Sequence, residues 1–389
     1  MPAIPYGHQD INQADIDAVV QVLRSDYLTQ GPCVPAFEVA VADYCGAQHA
    51  VAVNSATSAL HMACLALGVG QGDVVWTSPI TFVASANCAL YCGATVDFVD
   101  IDPRTYNLSV ASLEEKLLQA KVNSKLPKVV IAVHMCGQSC DMGALHALGQ
   151  QYGFKIIEDA SHAIGGRYKN EPIGACRYSD ITVFSFHPVK IITTCEGGMA
   201  LTNDATLAKC MQRLRSHGLT SDALDMHQRP GNEIWNYQQV ALGFNYRMTD
   251  VQAALGLSQM ARLDAFVQRR HTIAKQYDLA LAALPVKLPW QHPDAYSSYH
   301  LYPLRLQLDK IKLSQCQVFT ALRMAGILVN LHYIPVYLQP YYEVMGFHAG
   351  YCPNAESYFK DTVSIPMFSA LTDTEQDQIV DVIKKILAF

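Results

Sequence analysis

Ile181-Thr-Val-Phe-Ser-Phe-His-Pro-Val-Lys190 runs from a β-branched and aromatic tetrapeptide into a short loop that ends in a lysine. A run this short and this apolar reads as a strand, Ile181 to Phe184, buried on both faces. Upstream, five more runs have the same character: Ala50-Val-Ala-Val53, Val74-Val-Trp76, Thr95-Val-Asp-Phe-Val99, Val129-Val-Ile-Ala-Val133 and Lys155-Ile-Ile157. Helical patterns separate them. Buried strands alternating with crossovers predict a mainly parallel α/β sheet with helices on both faces. Met199-Ala-Leu-Thr202, after Gly197-Gly198, reads as an antiparallel addition to it.

Outside this region the pattern changes. Ile16, Val19, Val20 and Leu23 have helical spacing and predict an amphipathic arm from Asn12 to Leu23. A long helical region, Thr249 to about Lys275, leads to strand-like Tyr299–Arg305, a helix from Ser314 to Met324, a second strand around Ile327–Tyr333, and a terminal helix opened by the capping box Thr372-x-x-Glu375. With 389 residues the chain exceeds the roughly 250–300 at which single cores stop growing. We expect a large domain over residues 1–264 and a smaller α/β domain over 265–389.

Half the residues are hydrophobic and 16% are charged, which suits a globular enzyme and argues against disorder. The net charge of −6 offers no broad basic surface for nucleic acid or anionic membrane. No stretch approaches a membrane span, and the first residues lack a basic, apolar leader, so a cytoplasmic protein is expected. The twelve cysteines include two C-x3-C pairs, Cys88/Cys92 and Cys136/Cys140, neither of which has zinc-ribbon spacing. No metal site is read from them.

In open α/β sheets, ligands bind beyond the carboxyl ends of the strands. Three of those ends are unusual. Asn54-Ser-Ala-Thr-Ser-Ala-Leu60 puts small hydroxyl residues where a strand hands over to a helix, which suits a phosphate but also reads as simple N-capping. Glu158-Asp159-Ala-Ser-His162 brings carboxylates out of a buried strand, where they need a cation or several hydrogen bonds, although one of them can be a structural cap. Lys190, followed by Ile191-Ile-Thr-Thr, can be desolvated toward the neutral amine that attacks a carbonyl, although an isolated lysine is usually solvated surface. A lysine for a Schiff base, an acid for a pyridine nitrogen and a phosphate cradle on one sheet edge together match pyridoxal phosphate. Nucleotide motifs fare worse: Gly68-Val-Gly-Gln-Gly72 is not G-x-G-x-x-G, and there is no Walker A sequence.

Leu28-Thr-Gln-Gly-Pro32, Asn54-Ser-Ala-Thr57, Glu158-Asp159, Ser185-Phe186 with Lys190, Glu196-Gly-Gly198 and Gly243-Phe-Asn-Tyr-Arg247 occur in one order along the chain. As an ordered set they resemble the DegT/DnrJ/EryC1/StrS sugar aminotransferases, across essentially the whole length. The resemblance implies the fold type I architecture of pyridoxal-phosphate-dependent aminotransferases. It makes Lys190 the Schiff-base lysine, Asp159 the partner of the pyridine nitrogen, Phe82 the aromatic stacked on the ring and His162 a contact to ring substituents. Ala56, Thr57 and Ser185 resemble the phosphate cradle, with Asn245 contributed by the neighbouring subunit of a homodimer with shared sites. Tyr6, Asp26, Tyr27, Leu28, Thr29, His332, Tyr333 and Ile334 resemble substrate contacts.

Arg215-Ser-His-Gly218 and His332-Tyr-Ile-Pro335 look like the subgroup that moves an amino group from L-glutamate to a UDP-linked 4-keto-6-deoxy N-acetylhexosamine. A dehydratase branch on the same scaffold typically has histidine at the lysine position, so Lys190 argues against it. A non-catalytic relative that senses sugar nucleotides need not keep Asp159, Ser185 and Lys190 together. One departure from the family pattern is Cys195, where a small residue, often glycine, is expected before Glu-Gly-Gly.

Overall fold

Strand-forming runs and capped helices assemble into a seven-stranded sheet in a computed structural model that describes residues 3–228 and 233–387. The outermost residues of both expected domains, 1–2 and 388–389, lie outside the described residues. The sheet strands are β1 (His49–Val53), β2 (Val74–Thr77), β3 (Thr95–Phe98), β4 (Val129–Val133), β5 (Lys155–Asp159), β6 (Ile181–Ser185) and β7 (Gly198–Thr202). Their spatial order is β1-β7-β6-β5-β4-β2-β3. Only β7 runs against its neighbours, pairing Gly198 with Val53 on one side and with Ser185 on the other. The sheet is therefore mixed but mainly parallel.

Side chains alternate across a strand, so each strand feeds two cores. Val51, Val53, Ile131, Ile157 and Val183 pack beneath helices α3 (Ala56–Ala66) and α4 (Ala84–Tyr91), whereas Ala50, Ala52, Phe184 and Met199 face the opposite layer, where they meet α2 (Cys33–Cys45). Both faces are covered. The terminal part of each strand inherits this alternation: Asp159 shares the face of Ile157, and Glu158 points to the other side.

Asn12 caps the arm helix α1 (Gln13–Leu23) through a capping box with Asp15. The buried Asp15 carboxylate also takes Ser258 Oγ at 2.6 Å, Gln259 Nε2 at 2.7 Å and Arg262 Nη2 at 2.5 Å. This docking explains a departure from the expected long helix. The region from Thr249 is two helices, Asp250–Met260 and Leu263–Leu281, broken where Arg262 turns to reach Asp10 and Asp15.

The second of these helices joins two cores. Its Phe266 and Val267 pack with the large sheet, and its Ile273, Ala274 and Tyr277 pack with a three-stranded antiparallel sheet of Val286–Lys287, Tyr302–Leu306 and Thr362–Ile365. Helices Gln315–Met324 and Asp373–Leu387 cover that sheet, with Ser314 and Thr372 making the capping bonds. The strand expected over Ile327–Tyr333 is limited to Ile327–Leu328, which pairs in parallel with Ile4–Pro5 from the other end of the chain. Beyond it, the segment leaves the pairing and lines the cavity described next. No helix among the described residues is long and apolar enough to cross a membrane.

Candidate active site

A cavity of about 990 Å³ opens at the carboxyl ends of β1, β5 and β6 and is closed on its far side by residues 330–333. Its walls bring together Tyr6, Ala56, Thr57, Phe82, Asp159, His162, Ser185, Lys190, His332 and Tyr333. These residues come from six separate stretches of chain. The remaining residues singled out from the sequence lie elsewhere in the single chain. Asp26, Tyr27, Leu28 and Thr29 form an exposed loop tied to the next layer by Asp250 N–H donating to Leu28 O. Ile334 is exposed beside the cavity. Asn245 is exposed, its carbonyl accepting from Asn54 Nδ2 at 3.4 Å.

The first wall is the start of α3. Ser55 caps it by accepting from Ser58 N at 3.1 Å, and Ser58 Oγ donates to Asn54 Oδ1 at 2.7 Å. The capping reading is therefore correct for Ser55. It leaves the next N–H groups, those of Ala56 and Thr57, at the positive end of the helix without partners inside it. Gly198 is packed against this turn: a Cβ there would meet Ala56 N at 2.5 Å and Ser55 C at 2.6 Å. Only glycine lets β7 run under the helix start so closely. Ser185, opposite Gly198 in the ladder, adds a hydroxyl from β6.

The second wall carries the acid. Asp159 Oδ1 accepts from Ser161 Oγ at 2.5 Å and Ser161 N at 3.1 Å, and Oδ2 accepts from Ser85 Oγ at 2.6 Å. Its neighbour in sequence does something different. Glu158 accepts from His134 Nε2 at 2.7 Å, Ser179 Oγ at 2.5 Å and Thr182 Oγ1 at 3.2 Å, on the face away from the cavity. Of the two carboxylates, Glu158 is the structural one.

Lys190 stands on the third wall, in the loop after β6, with its N–H donating to His187 O. Burial pushes its amine down to about 8, against an upward pull from Asp159. Around it, burial and the lysine charge hold His162 well below the usual imidazole range and take His332 down to about 3. The His162 ring lies tilted against that of His300, 4.3 Å between centroids, and meets Tyr333 Oη at 3.3 Å, while its buried Nδ1 has no partner. Phe82 is 60% exposed at the mouth of the cavity, its ring 6.5 Å from that of Tyr333. A flat face exposed beside an otherwise packed pocket is suited to stacking.

Pyridoxal phosphate fits this set of groups. An amine of depressed basicity, a hydrogen-bonded carboxylate, free helix N–H groups and an orphaned imidazole nitrogen are the partners that its aldehyde, ring nitrogen, phosphate and ring hydroxyl need. The sequence reading missed Ser85, Thr81, Ser161, Asn330 and His300. Ser161 was within reach as a hydroxyl two residues past Asp159. Thr81 and Ser85 flank Phe82, and Asn330 stands two residues before His332, but nothing local marks them or His300 as groups of the site.

The profile of the DegT/DnrJ/EryC1/StrS aminotransferase family matches residues 9–384. The spore coat polysaccharide biosynthesis protein SpsC of Bacillus subtilis is 38% identical over 99% of this chain and 97% of its own. The UDP-4-amino-4,6-dideoxy-N-acetyl-beta-L-altrosamine transaminase of Campylobacter jejuni is 37% identical over 99% and 97%. Among solved structures, Helicobacter pylori PseC, an aminotransferase of pseudaminic acid biosynthesis, superposes with a TM-score of 0.90 at 30% identity, covering 99% of each chain.

Proposed function

The chain belongs to the DegT/DnrJ/EryC1/StrS aminotransferase family, and from that premise we propose that it moves an amino group from L-glutamate to C4 of a UDP-linked 4-keto-6-deoxy N-acetylhexosamine. The product would be UDP-4-amino-4,6-dideoxy-N-acetyl-β-L-altrosamine, an intermediate for pseudaminic acid. The observation that carries an aminotransferase reaction at this site is the meeting of Lys190, Asp159 and the α3 N-terminus in one cavity. The choice of sugar rests on the Campylobacter and Helicobacter relatives.

When bound, pyridoxal phosphate supplies an aldehyde that accepts an amine and a ring that stores the electron pair released at the substrate carbon. The roles of the chain follow from what surrounds each group. Ala56 and Thr57 N–H and the Ser185 hydroxyl hold the phosphate. Asp159 would keep the ring nitrogen protonated, Phe82 would cover a ring face, and His162 Nδ1 would be free to meet a ring substituent. Lys190 Nζ is first the anchoring amine. As a free amine it would be the base that moves a proton at the substrate carbon, a task that suits a group poised near pH 8. His332 and Tyr333, with the Tyr6 ring tilted against His332 at 5.0 Å, face the substrate side.

A second copy of the chain completes the site in this reading. The cavity offers Lys190 but no arginine among its described lining, so the anionic groups of a sugar nucleotide need cations from elsewhere. Asn245 follows a segment whose Leu224, Ile234, Trp235 and Leu242 are each more than 70% exposed, an apolar surface suited to a partner protomer.

The test offers glutamate with UDP- and dTDP-linked 4-keto sugars and identifies the aminated product by NMR. Amination of the UDP N-acetyl sugar is expected. A strong preference for a dTDP sugar would overturn the substrate assignment. Lys190→Ala should lose both the visible cofactor band and turnover, and retained transamination would refute the site.

A further inference from the structure

Asp159 has four lone-pair positions for hydrogen bonds, two on each oxygen. Oδ1 has both filled by Ser161, through its Oγ at 2.5 Å and its backbone N–H at 3.1 Å. Oδ2 has one filled, by Ser85 Oγ at 2.6 Å. The lone pair that remains for a ring nitrogen is therefore on Oδ2, the oxygen that Ser85 holds.

Ser85 lies in the first turn of α4, fully buried, and its one hydroxyl proton has three acceptors within reach, Phe82 O, Thr81 Oγ1 and Asp159 Oδ2, of which only the last is charged. Phe82 O is 3.4 Å away and Asp159 Oδ2 is 2.6 Å away, so the carboxylate takes it. Thr81 Oγ1 lies 2.7 Å from Ser85 Oγ. With the serine proton already committed, Thr81 is the donor, and the hydroxyls form a relay from Thr81 through Ser85 to Asp159. Such a chain polarises along its length and strengthens the final bond. The other groups facing Asp159 are Lys190, whose charge it stabilises, and Tyr333, whose hydroxyl stays neutral.

Building on the cofactor reading above, we propose that Ser85, driven by Thr81, is a positioning residue that sets the orientation of Asp159 Oδ2 and leaves it one lone pair for the ring nitrogen. It thereby decides how fully the cofactor ring nitrogen is protonated. The same turn carries Phe82, since Ser85 N–H donates to Phe82 O at 3.2 Å. One residue thus connects the group expected below the ring nitrogen with the group expected over the ring face. Without the hydroxyl, no water can replace it in a fully packed turn, and Oδ2 is left with one donor fewer. The shared proton then moves from the ring nitrogen toward the carboxylate.

The test loads the full-length protein with pyridoxal phosphate labelled with 15N in the ring and compares wild type, Ser85→Ala and Thr81→Val. The ring-nitrogen resonance should be at the protonated position in wild type, move toward neutral pyridine in Ser85→Ala, and move less in Thr81→Val. Turnover by Ser85→Ala should fall roughly ten- to a hundredfold, the size of one charge-assisted hydrogen bond, with KM for glutamate changed less than about threefold. Should Ser85→Ala fold poorly, Ser85→Cys, of similar size and with a weaker donor, is expected to show the same displacement in smaller measure. A 15N signal in the variants identical to that of wild type overturns the positioning role alone. Wild-type protein that takes up no cofactor overturns the parent reading and this one with it.

Discussion

Gly198→Ala adds one carbon at the point where β7 runs beneath the start of α3. The new Cβ would be 2.5 Å from Ala56 N, 2.6 Å from Ser55 C and 2.7 Å from Ala56 Cα, all backbone atoms that cannot rotate away. Ordinary contact begins near 3.4 Å, so helix and strand must separate by about 0.9 Å. β7 cannot easily yield, because Gly198 is paired with both Val53 and Ser185. The helix start is the freer side, and moving it carries the Ala56 and Thr57 N–H groups away from a phosphate. A bond of about 2.9 Å stretched by that amount is no longer a hydrogen bond.

Losing one bond to a charged group costs about 1.5–3 kcal/mol, which raises the Kd for pyridoxal phosphate roughly 10- to 100-fold. Overpacking should also lower stability by about 1–3 kcal/mol. Cofactor titration of the apo-protein by absorbance measures the first effect, and a urea unfolding curve measures the second. If Kd and the urea midpoint both match wild type, Gly198 does not hold the helix start and the cradle is misassigned.

Three further outcomes follow from the same geometry. Glu158→Ala leaves the buried His134 and two hydroxyls without their acceptor, so it should destabilise by about 3–5 kcal/mol while the folded fraction binds cofactor within about threefold of wild type; a stable variant with lost binding would reverse the roles of Glu158 and Asp159. Cys195 has φ +66°, a left-handed conformation that glycine adopts freely, so Cys195→Gly should raise the urea midpoint by about 1 kcal/mol of stability, and a lower midpoint would count against strain there. Capture of pyridoxal phosphate by the apo-protein needs the neutral Lys190 amine, whose folded value lies near 8 instead of 10.5. The neutral fraction grows about tenfold per pH unit below that value, so the stopped-flow capture rate should climb with pH and level off above about 8. His162 and His332 stay neutral throughout that window, and a rate flat from pH 6.5 to 9 would refute the assignment.

Much of this protein is written in local order along the chain. Two-sided apolar runs specify β1 to β6, Ser and Thr caps mark the starts of α3 and the C-terminal helices, and Lys190 and Asp159 stand out because polar groups at the ends of buried strands need partners. The expected glycine at position 195 has its reason in a backbone torsion that motif comparison registers without explaining.

Tertiary structure alone decided the rest, because it depends on residues that meet only after packing. Ser85 reaches Asp159 across 74 positions, Gly198 fits under Ala56, Arg262 breaks a helix to pair with Asp10 and Asp15, and Ile4 takes its place beside Ile327. Periodicity and capping act over a few residues and can be read in a line. The partner that completes a buried carboxylate is chosen by which surfaces close upon it, and for Asp159 that choice fell on a serine with no motif of its own.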